Sequence, residues 1–125
     1  MKARILIVED NPLNMELAAD LLEVAGYDVL EATTAERGIQ LARTLLPDLI
    51  LMDTSLPGMD GLQATQILKS DAATQHIPVV SLTANAMKGD EERALAAGAL
   101  AYVTKPIDTR TFVAEIGRFL PAKAA

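Results

Sequence analysis

The sequence has no cysteine and no tryptophan, and aromatic residues make up only 3% of its 125 residues. The absence of cysteine excludes a disulfide framework, a thiolate zinc site and a thiol nucleophile. No apolar run is long enough to span a membrane, and the chain does not open with the pattern of a cleavable signal. We therefore expect a cytoplasmic protein with no membrane partner.

Basic residues are also in short supply. The 11 Lys and Arg residues are outnumbered by 17 Asp and Glu residues, which gives a formal net charge of −6. This is the wrong sign for binding a phosphate backbone, and no basic run is interleaved with aromatic residues. We therefore expect no nucleic-acid partner.

Aliphatic residues are abundant, since half of the sequence is hydrophobic. The core must therefore be built from Ile, Leu, Val, Met and Ala. A chain of this length favours one domain and buries roughly two thirds of its unfolded surface on folding. We expect this domain to span residues 1–121, followed by a short tail over residues 122–125.

Two hydrophobic periodicities alternate along the chain. Short apolar runs rich in branched residues are typical of strands that are covered on both faces. They predict strands at 4–9, 28–32, 48–53, 78–83 and 100–104. Helical periodicity predicts helices at 12–25, from Thr34 to before Pro47, and at 61–69, 86–97 and 109–120. Alternation with short loops indicates an α/β fold, a doubly wound parallel sheet of five strands with helices on both faces.

Helix boundary signals support these assignments. Asn11 and Pro12 fit the cap and first position of the first helix, and Gly26 fits its end. Thr33 and Glu36 have the spacing of a capping box at the second helix. An apolar stripe predicts the buried face of the first helix, formed by Leu17, Ala18, Leu21, Leu22 and Ala25. In the fourth helix, Met87 and Leu95 are the larger apolar anchors.

Side chains capable of chemistry stand at the carboxyl ends of four of the five predicted strands. They are Glu9 and Asp10 at the end of the first strand, Asp53 at the end of the third, Thr83 at the end of the fourth, and Lys105 and Pro106 at the end of the fifth. In a parallel sheet the carboxyl ends of the strands meet at one edge, which is where ligands bind. We therefore expect these side chains to lie together.

Three clustered acids repel one another, and a divalent cation relieves that repulsion. A site with only oxygen ligands favours Mg²⁺, or Mn²⁺, over zinc. An aspartate such as Asp53 can act as a nucleophile and form an acyl phosphate. Lys105 would neutralise charge on the transferring oxygens, and Thr83 could donate a hydrogen bond to one of them.

Four segments together resemble the receiver domains of bacterial response regulators, in order and in spacing. They are "ILIVEDNPLN", "PDLILMDTSLPGMDG", "IPVVSLTANAM" and "AYVTKPI", and the resemblance covers essentially the whole chain. It implies a (βα)5 fold of the flavodoxin-like or CheY-like type with strand order 2-1-3-4-5. The acidic pair is Glu-Asp here, where the family more commonly has Asp-Asp.

The resemblance assigns roles to individual residues. It implies that Asp53 is the phosphoacceptor and that Lys105 is the partner of the phosphoryl group and of the carboxylate. The implied magnesium ligands are Glu9, Asp10, Asp53 and the backbone carbonyl of Ser55. The implied switch pair is Thr83 and Tyr102, and the bond between Lys105 and Pro106 is expected to be cis.

The implied activity is signalling rather than enzyme catalysis. The phosphoryl donor would be a phosphohistidine on a histidine kinase or a histidine phosphotransfer protein. Phosphorylation would change the surface of the fourth helix, fifth strand and fifth helix for a downstream protein, or the phosphoryl group would pass onward in a relay. The chain is similar to stand-alone receivers of the DivK kind, and receivers excised from hybrid kinases share these features.

Other hypotheses remain open at this point. Taken alone, Asp53 could cap the loop through Gly58. An aspartyl-phosphate phosphatase would need a second acid two residues after the nucleophile, where this chain has Ser55. A phosphorylation-independent adaptor would bind its partner equally with or without Mg²⁺ and a phosphoryl mimic.

Overall fold

The computed structural model describes residues 2–84 and 88–121. Five parallel strands form one sheet, in the order β2-β1-β3-β4-β5. The strands are β1 (Arg4–Val8), β2 (Asp28–Ala32), β3 (Leu49–Asp53), β4 (Val79–Thr83) and β5 (Ala101–Thr104). The helices are α1 (Pro12–Val24), α2 (Ala35–Leu45), α3 (Gly61–Ser70), α4 (Lys88–Ala96) and α5 (Phe112–Phe119). The predicted fold class and strand order are confirmed.

The register of the central strands sets the position of the site. Val8 pairs with Met52, so the residues that follow them, Glu9 and Asp53, leave the same edge of the sheet side by side. Asp53 in turn pairs with Leu82, the neighbour of Thr83. Side chains that lie far apart in the sequence therefore meet at the carboxyl edge of the sheet.

Apolar residues pack on both faces of the sheet, as the continuous hydrophobic strands predict. One cluster joins the sheet to α1 and α5, and Phe112 is among its largest fully buried side chains. The other joins the sheet to α2 and α3. Every residue of β3 and β4 is buried, so both strands offer a firm base for the groups at their ends.

Two of the three helix boundary signals are confirmed. The Asn11 side chain accepts hydrogen bonds from the amides of Leu13 and Asn14, at 3.0 and 3.2 Å. Gly26 follows α1 with a φ of +100°, a conformation that glycine adopts without strain.

The predicted cap of the second helix is wrong by one residue. Thr34, not Thr33, has the extended backbone of the cap, and its hydroxyl accepts a hydrogen bond from the Arg37 amide at 3.1 Å. Glu36 therefore stands one position too early to close a capping box.

The buried face of α1 is rotated from the predicted stripe. Its buried residues are Met15, Ala18, Ala19 and Leu22. Leu17 is 36% exposed, and Ala25 is exposed as well. Two successive alanines allow close approach to the sheet, so the small residues face inward and Leu17 is displaced outward.

The described part of α4 ends one residue earlier than predicted, and α5 is shorter than predicted at both ends. The predicted α4 covered residues 86–97, and its residues 86 and 87, with the anchor Met87, lie outside the described residues. Leu95 is 45% exposed and does not anchor α4, whereas Ala94 is buried. Before α5, the Asp108 side chain accepts a hydrogen bond from the Arg110 amide at 2.9 Å, which forms a turn and delays the helix to Phe112. Within the described residues, no helix has the length and apolar character needed to cross a membrane.

Candidate functional site

Three carboxylates meet at the carboxyl edge of the sheet. Glu9, Asp10 and Asp53 each place an oxygen within 4.8 Å of the others. Glu9 and Asp53 are each only 1% exposed, whereas Asp10 is open to solvent. Two of the three acids are therefore held in a poorly solvated position, where uncompensated charge is costly.

Asp53 is held from two directions. Its Oδ1 accepts a hydrogen bond from the Ser55 amide at 3.0 Å, within the turn that follows β3. The same oxygen lies 3.2 Å from Nζ of Lys105. The strand end, the turn and the lysine together fix the carboxylate.

Glu9 is the second acid that Lys105 contacts. Nζ of Lys105 lies 2.8 Å from Oε1 of Glu9, and the lysine side chain is only 14% exposed. The other carboxylate oxygen, Oε2, accepts a hydrogen bond from the Asn11 amide at 3.1 Å. One ammonium group thus bridges two buried acids from neighbouring strands.

The backbone of Lys105 is positioned by β4. Its amide donates to the carbonyl of Thr83 at 2.7 Å, which extends the β4–β5 pairing by one residue. The peptide bond between Lys105 and Pro106 is cis. From the end of β5, the side chain of Lys105 reaches past β4 to the acids at the ends of β1 and β3.

The pKa values of both Glu9 and Lys105 are raised at this edge. Burial raises the pKa of Glu9 above its ordinary value, and the neighbouring Asp53 raises it further, against the opposing effects of Lys105 and the Asn11 amide. Burial alone would lower the pKa of Lys105, but the contacts with Glu9 and Asp53 raise it overall. The lysine is therefore firmly cationic.

The donor set fits a hard divalent cation. Three carboxylates, counted as ionised, carry three negative charges against the single positive charge of Lys105. A divalent ion would neutralise the remainder, and a set made only of oxygen ligands suits Mg²⁺ or Mn²⁺. The exposure of Asp10 leaves one side open, as suits an ion that keeps several of its waters.

Thr83 and Tyr102 lie on the same face of two adjacent strands. Thr83 pairs with Thr104, and Tyr102 pairs with Ser81, two residues earlier in β4. Thr83 is buried, and Tyr102 is half-buried. The two side chains are therefore diagonal neighbours at the site.

Glu91 of α4 is a contact of Tyr102 that the sequence analysis missed. A hydrogen bond to the Glu91 carboxylate raises the pKa of the Tyr102 hydroxyl. No sequence signal identifies this pair, because it depends on how α4 packs beside β5.

The sequence matches a known protein family. Residues 5–117 match the response regulator receiver domain. The polar-differentiation response regulator DivK of Brucella ovis is 47% identical over 120 residues, which cover 96% of this chain and 98% of that protein. The DivK of Brucella anthropi shows the same identity and coverage. The chain belongs to the response regulator receiver domain family.

Solved structures have the same architecture. The receiver domain of a sensor histidine kinase from Pseudomonas aeruginosa, with a magnesium ion coordinated in its active site cleft, has a TM-score of 0.87 and 34% identity, covering 95% of this chain and 98% of that one. The chemotaxis protein CheY4 of Vibrio cholerae has a TM-score of 0.91 at 23% identity, covering 96% of this chain and 100% of that chain. The CheY4 comparison supports the fold alone.

Proposed function

We propose that this chain accepts a phosphoryl group on Asp53 from a phosphohistidine donor and so acts as a switch in two-component or phosphorelay signalling. The observation that carries this proposal is the environment of Asp53. It is a buried carboxylate held by the Ser55 amide and by Lys105, with two further acids within 4.8 Å. A cap of a loop needs neither the lysine nor the additional acids.

Glu9, Asp10, Asp53 and the backbone carbonyl of Ser55 would hold Mg²⁺, or Mn²⁺. When bound, the ion supplies positive charge to the phosphoryl oxygens, which is a large part of what phosphoryl transfer requires. The cluster of three acids supports this assignment, because three ionised carboxylates carry more negative charge than Lys105 alone neutralises. The magnesium ion in the receiver domain from Pseudomonas aeruginosa supports it as well.

The proposed transfer forms one bond and breaks one bond. A carboxylate oxygen of Asp53 attacks the phosphorus, and a P–O bond forms as the P–N bond to the donor imidazole breaks. The imidazole leaves with the electron pair and takes up a proton from water. Lys105 remains protonated and places its charge beside the phosphoryl oxygens, while the Ser55 amide keeps the carboxylate oriented.

Phosphorylation would then act through Thr83 and Tyr102. The hydroxyl of Thr83 would donate a hydrogen bond to a phosphoryl oxygen, and Tyr102 would turn into the space that Thr83 leaves. This movement would separate Tyr102 from Glu91 and alter the surface formed by α4, β5 and α5. A bias of a few kcal/mol between two existing states is enough for such a switch.

Two kinds of protein partner are proposed, a phosphoryl donor and a downstream target. The start of α1, from Pro12 to Met15, lies beside the site, and Leu13 is 76% exposed there. We assign this surface to the histidine kinase or histidine phosphotransfer protein. The α4–β5–α5 surface would bind a downstream protein, unless the phosphoryl group passes onward in a relay.

We assign the receiver domain to residues 1–121 and its function to the cytoplasm. The tail expected at residues 122–125 lies outside the described residues. It is a signalling protein that catalyses only its own phosphorylation and slow dephosphorylation. A role as the receiver of a hybrid kinase is the second candidate, because the Pseudomonas aeruginosa relative is part of a sensor histidine kinase. A phosphatase role lacks the second acid, since that position is Ser55.

The proposal is tested by labelling Asp53→Asn with acetyl phosphate and with a phosphorylated histidine phosphotransfer protein. Asp20→Asn, at an exposed position of α1, is the matched control. We expect wild type and Asp20→Asn to be labelled in Mg²⁺ and Asp53→Asn not to be labelled. Undiminished labelling of Asp53→Asn would refute the assignment. Steady hydrolysis of phosphomonoesters by wild type, over many turnovers, would favour the phosphatase.

A further inference from the structure

Gly61, the first residue of α3, packs directly on the backbone of Asp53. A Cβ atom placed on Gly61 would lie 2.0 Å from the carbonyl oxygen of Asp53, 2.8 Å from its carbonyl carbon and 3.0 Å from Cα of Thr54. All three neighbours are backbone atoms at the end of β3. They cannot move aside as the tip of a flexible side chain can.

The requirement at Gly61 is one of space rather than of backbone conformation. Gly26, Gly58 and Gly98 have positive φ angles, and Gly61 does not. An alanine would therefore fit the local backbone but would collide with the strand.

Hydrogen bonds hold both sides of this contact, the start of α3 and the end of β3, in place. On the helix side, the carbonyl of Gly61 accepts a hydrogen bond from the buried Thr65 hydroxyl at 2.7 Å. Asp60 caps the same helix by accepting from the Gln63 amide at 2.8 Å. On the strand side, the Thr54 amide donates to the carbonyl of Leu82 at 3.0 Å. A methyl group at Gly61 must therefore displace the end of β3, the start of α3, or both.

Displacement of the end of β3 would directly move the phosphoacceptor site. Asp53 is the last residue of β3, and its carboxylate must keep its distances to the Ser55 amide and to Lys105. Mg²⁺ demands near-ideal octahedral geometry. A misplacement of about 1 Å can cost on the order of 100-fold in a reaction that depends on alignment.

We propose that Gly61 is a positioning residue for Asp53, because the missing side chain lets α3 hold the phosphoacceptor backbone at the distance that metal binding and phosphoryl transfer require. This inference rests on the proposed function. It adds that the role of Gly61 is separable from its contribution to stability.

The test compares Gly61→Ala with Gly38→Ala. A Cβ on Gly38 would meet Cγ2 of Val8 at 2.6 Å, so the same substitution there strains a side chain contact in the core. For each variant, urea unfolding gives the folded fraction, calorimetric titration gives the Mg²⁺ affinity, and acetyl phosphate gives the labelling rate at saturating Mg²⁺. Affinity and rate are compared under conditions in which every protein is fully folded.

We expect Gly61→Ala to weaken Mg²⁺ binding and to slow labelling, each by about tenfold or more. The Mg²⁺ affinity and labelling rate of Gly38→Ala should stay within about twofold of wild type, even if this variant loses as much stability as Gly61→Ala. Wild-type values for Gly61→Ala, or equal losses in the two variants, would overturn the inference. Absence of Mg²⁺ binding and labelling in wild type would instead refute the proposed function.

Two measures keep the inference testable if Gly61→Ala does not fold. Trimethylamine oxide, which favours compact states, is added first to recover the folded protein. If that fails, Thr65→Val removes the hydroxyl that holds the Gly61 carbonyl and preserves the shape of the side chain. We then expect a smaller loss of Mg²⁺ affinity in the same direction, and unchanged affinity in Thr65→Val would overturn the inference.

Discussion

Replacement of Lys105 by methionine tests the charge balance of the site. The substitution keeps much of the apolar stem and removes the ammonium group. Glu9 and Asp53 are then left buried at one edge of the sheet without their shared cation, which lies 2.8 and 3.2 Å from their oxygens. We therefore expect the metal-free protein to lose stability.

The magnitude follows from the burial of the partners. Both carboxylates are almost fully buried, and the lysine side chain is 14% exposed. Removal of one partner from a buried ion pair costs about 3–5 kcal/mol. Because Lys105 keeps some contact with solvent, we expect the lower end, about 3 kcal/mol at pH 7. This is a large part of the roughly 5–15 kcal/mol that stabilises a typical domain.

The loss should depend on pH with a definite sign. The folded protein raises the pKa of Glu9 above 4.5, so Glu9 lowers stability as the pH rises beyond that value. Lys105 opposes this shift, and its removal raises the pKa of Glu9 further. The difference between Lys105→Met and wild type should therefore be small near pH 4 and reach its full size near neutral pH.

Urea unfolding from pH 4 to pH 8, with and without Mg²⁺, measures this difference. Mg²⁺ should reduce the difference in unfolding free energy between wild type and Lys105→Met, because the ion binds only the folded protein and replaces the lost positive charge. Lys69→Met is the matched control, since Lys69 donates to the carbonyls of Gln75 and Ile77, at 3.1 and 2.5 Å, away from the acids. Lys69→Met should lose about 1–2 kcal/mol of stability, and Mg²⁺ should not change that loss. A loss below about 1 kcal/mol for Lys105→Met at pH 7 would refute the reasoning.

Two further predictions concern the rest of the structure. Leu46 has a φ of +46° and is 50% exposed, so Leu46→Gly should stabilise the protein by about 0.5–1 kcal/mol in urea unfolding, whereas Leu45→Gly, within α2, should destabilise it. A loss of stability in Leu46→Gly would contradict this. Glu91→Gln should lower the pKa of Tyr102 toward its ordinary value, because it removes the carboxylate that disfavours the tyrosinate. Ultraviolet titration in a Tyr27→Phe background, which leaves Tyr102 as the sole tyrosine, measures this value, and an unchanged pKa would exclude the contact.

The fold follows from patterns that are local in the sequence. Strands covered on both faces produce uninterrupted apolar runs, which is why β3 and β4 were predicted within one residue of their bounds. The convergence of the acids with Lys105 also follows, because parallel strands place their carboxyl ends at one edge. These inferences need only the order of the strands and the residues at their ends.

Other features depend on how elements pack, and the sequence did not reveal them. The buried face of α1 differs from the predicted stripe because small residues such as Ala18 and Ala19 also fit against the sheet. Leu95 was expected to anchor α4, but the buried contact comes from Ala94. The contact of Tyr102 with Glu91 and that of Gly61 with Asp53 join residues whose positions are set by tertiary packing.

The most direct test of the central claim locates the phosphoryl group. Wild-type protein is incubated with acetyl phosphate in Mg²⁺ or in excess chelator, reduced with borohydride to trap the acyl phosphate, digested and analysed by mass spectrometry. We predict a single trapped residue, Asp53, and only in the samples with Mg²⁺. Trapping at another residue, or equal trapping in chelator, would contradict the account.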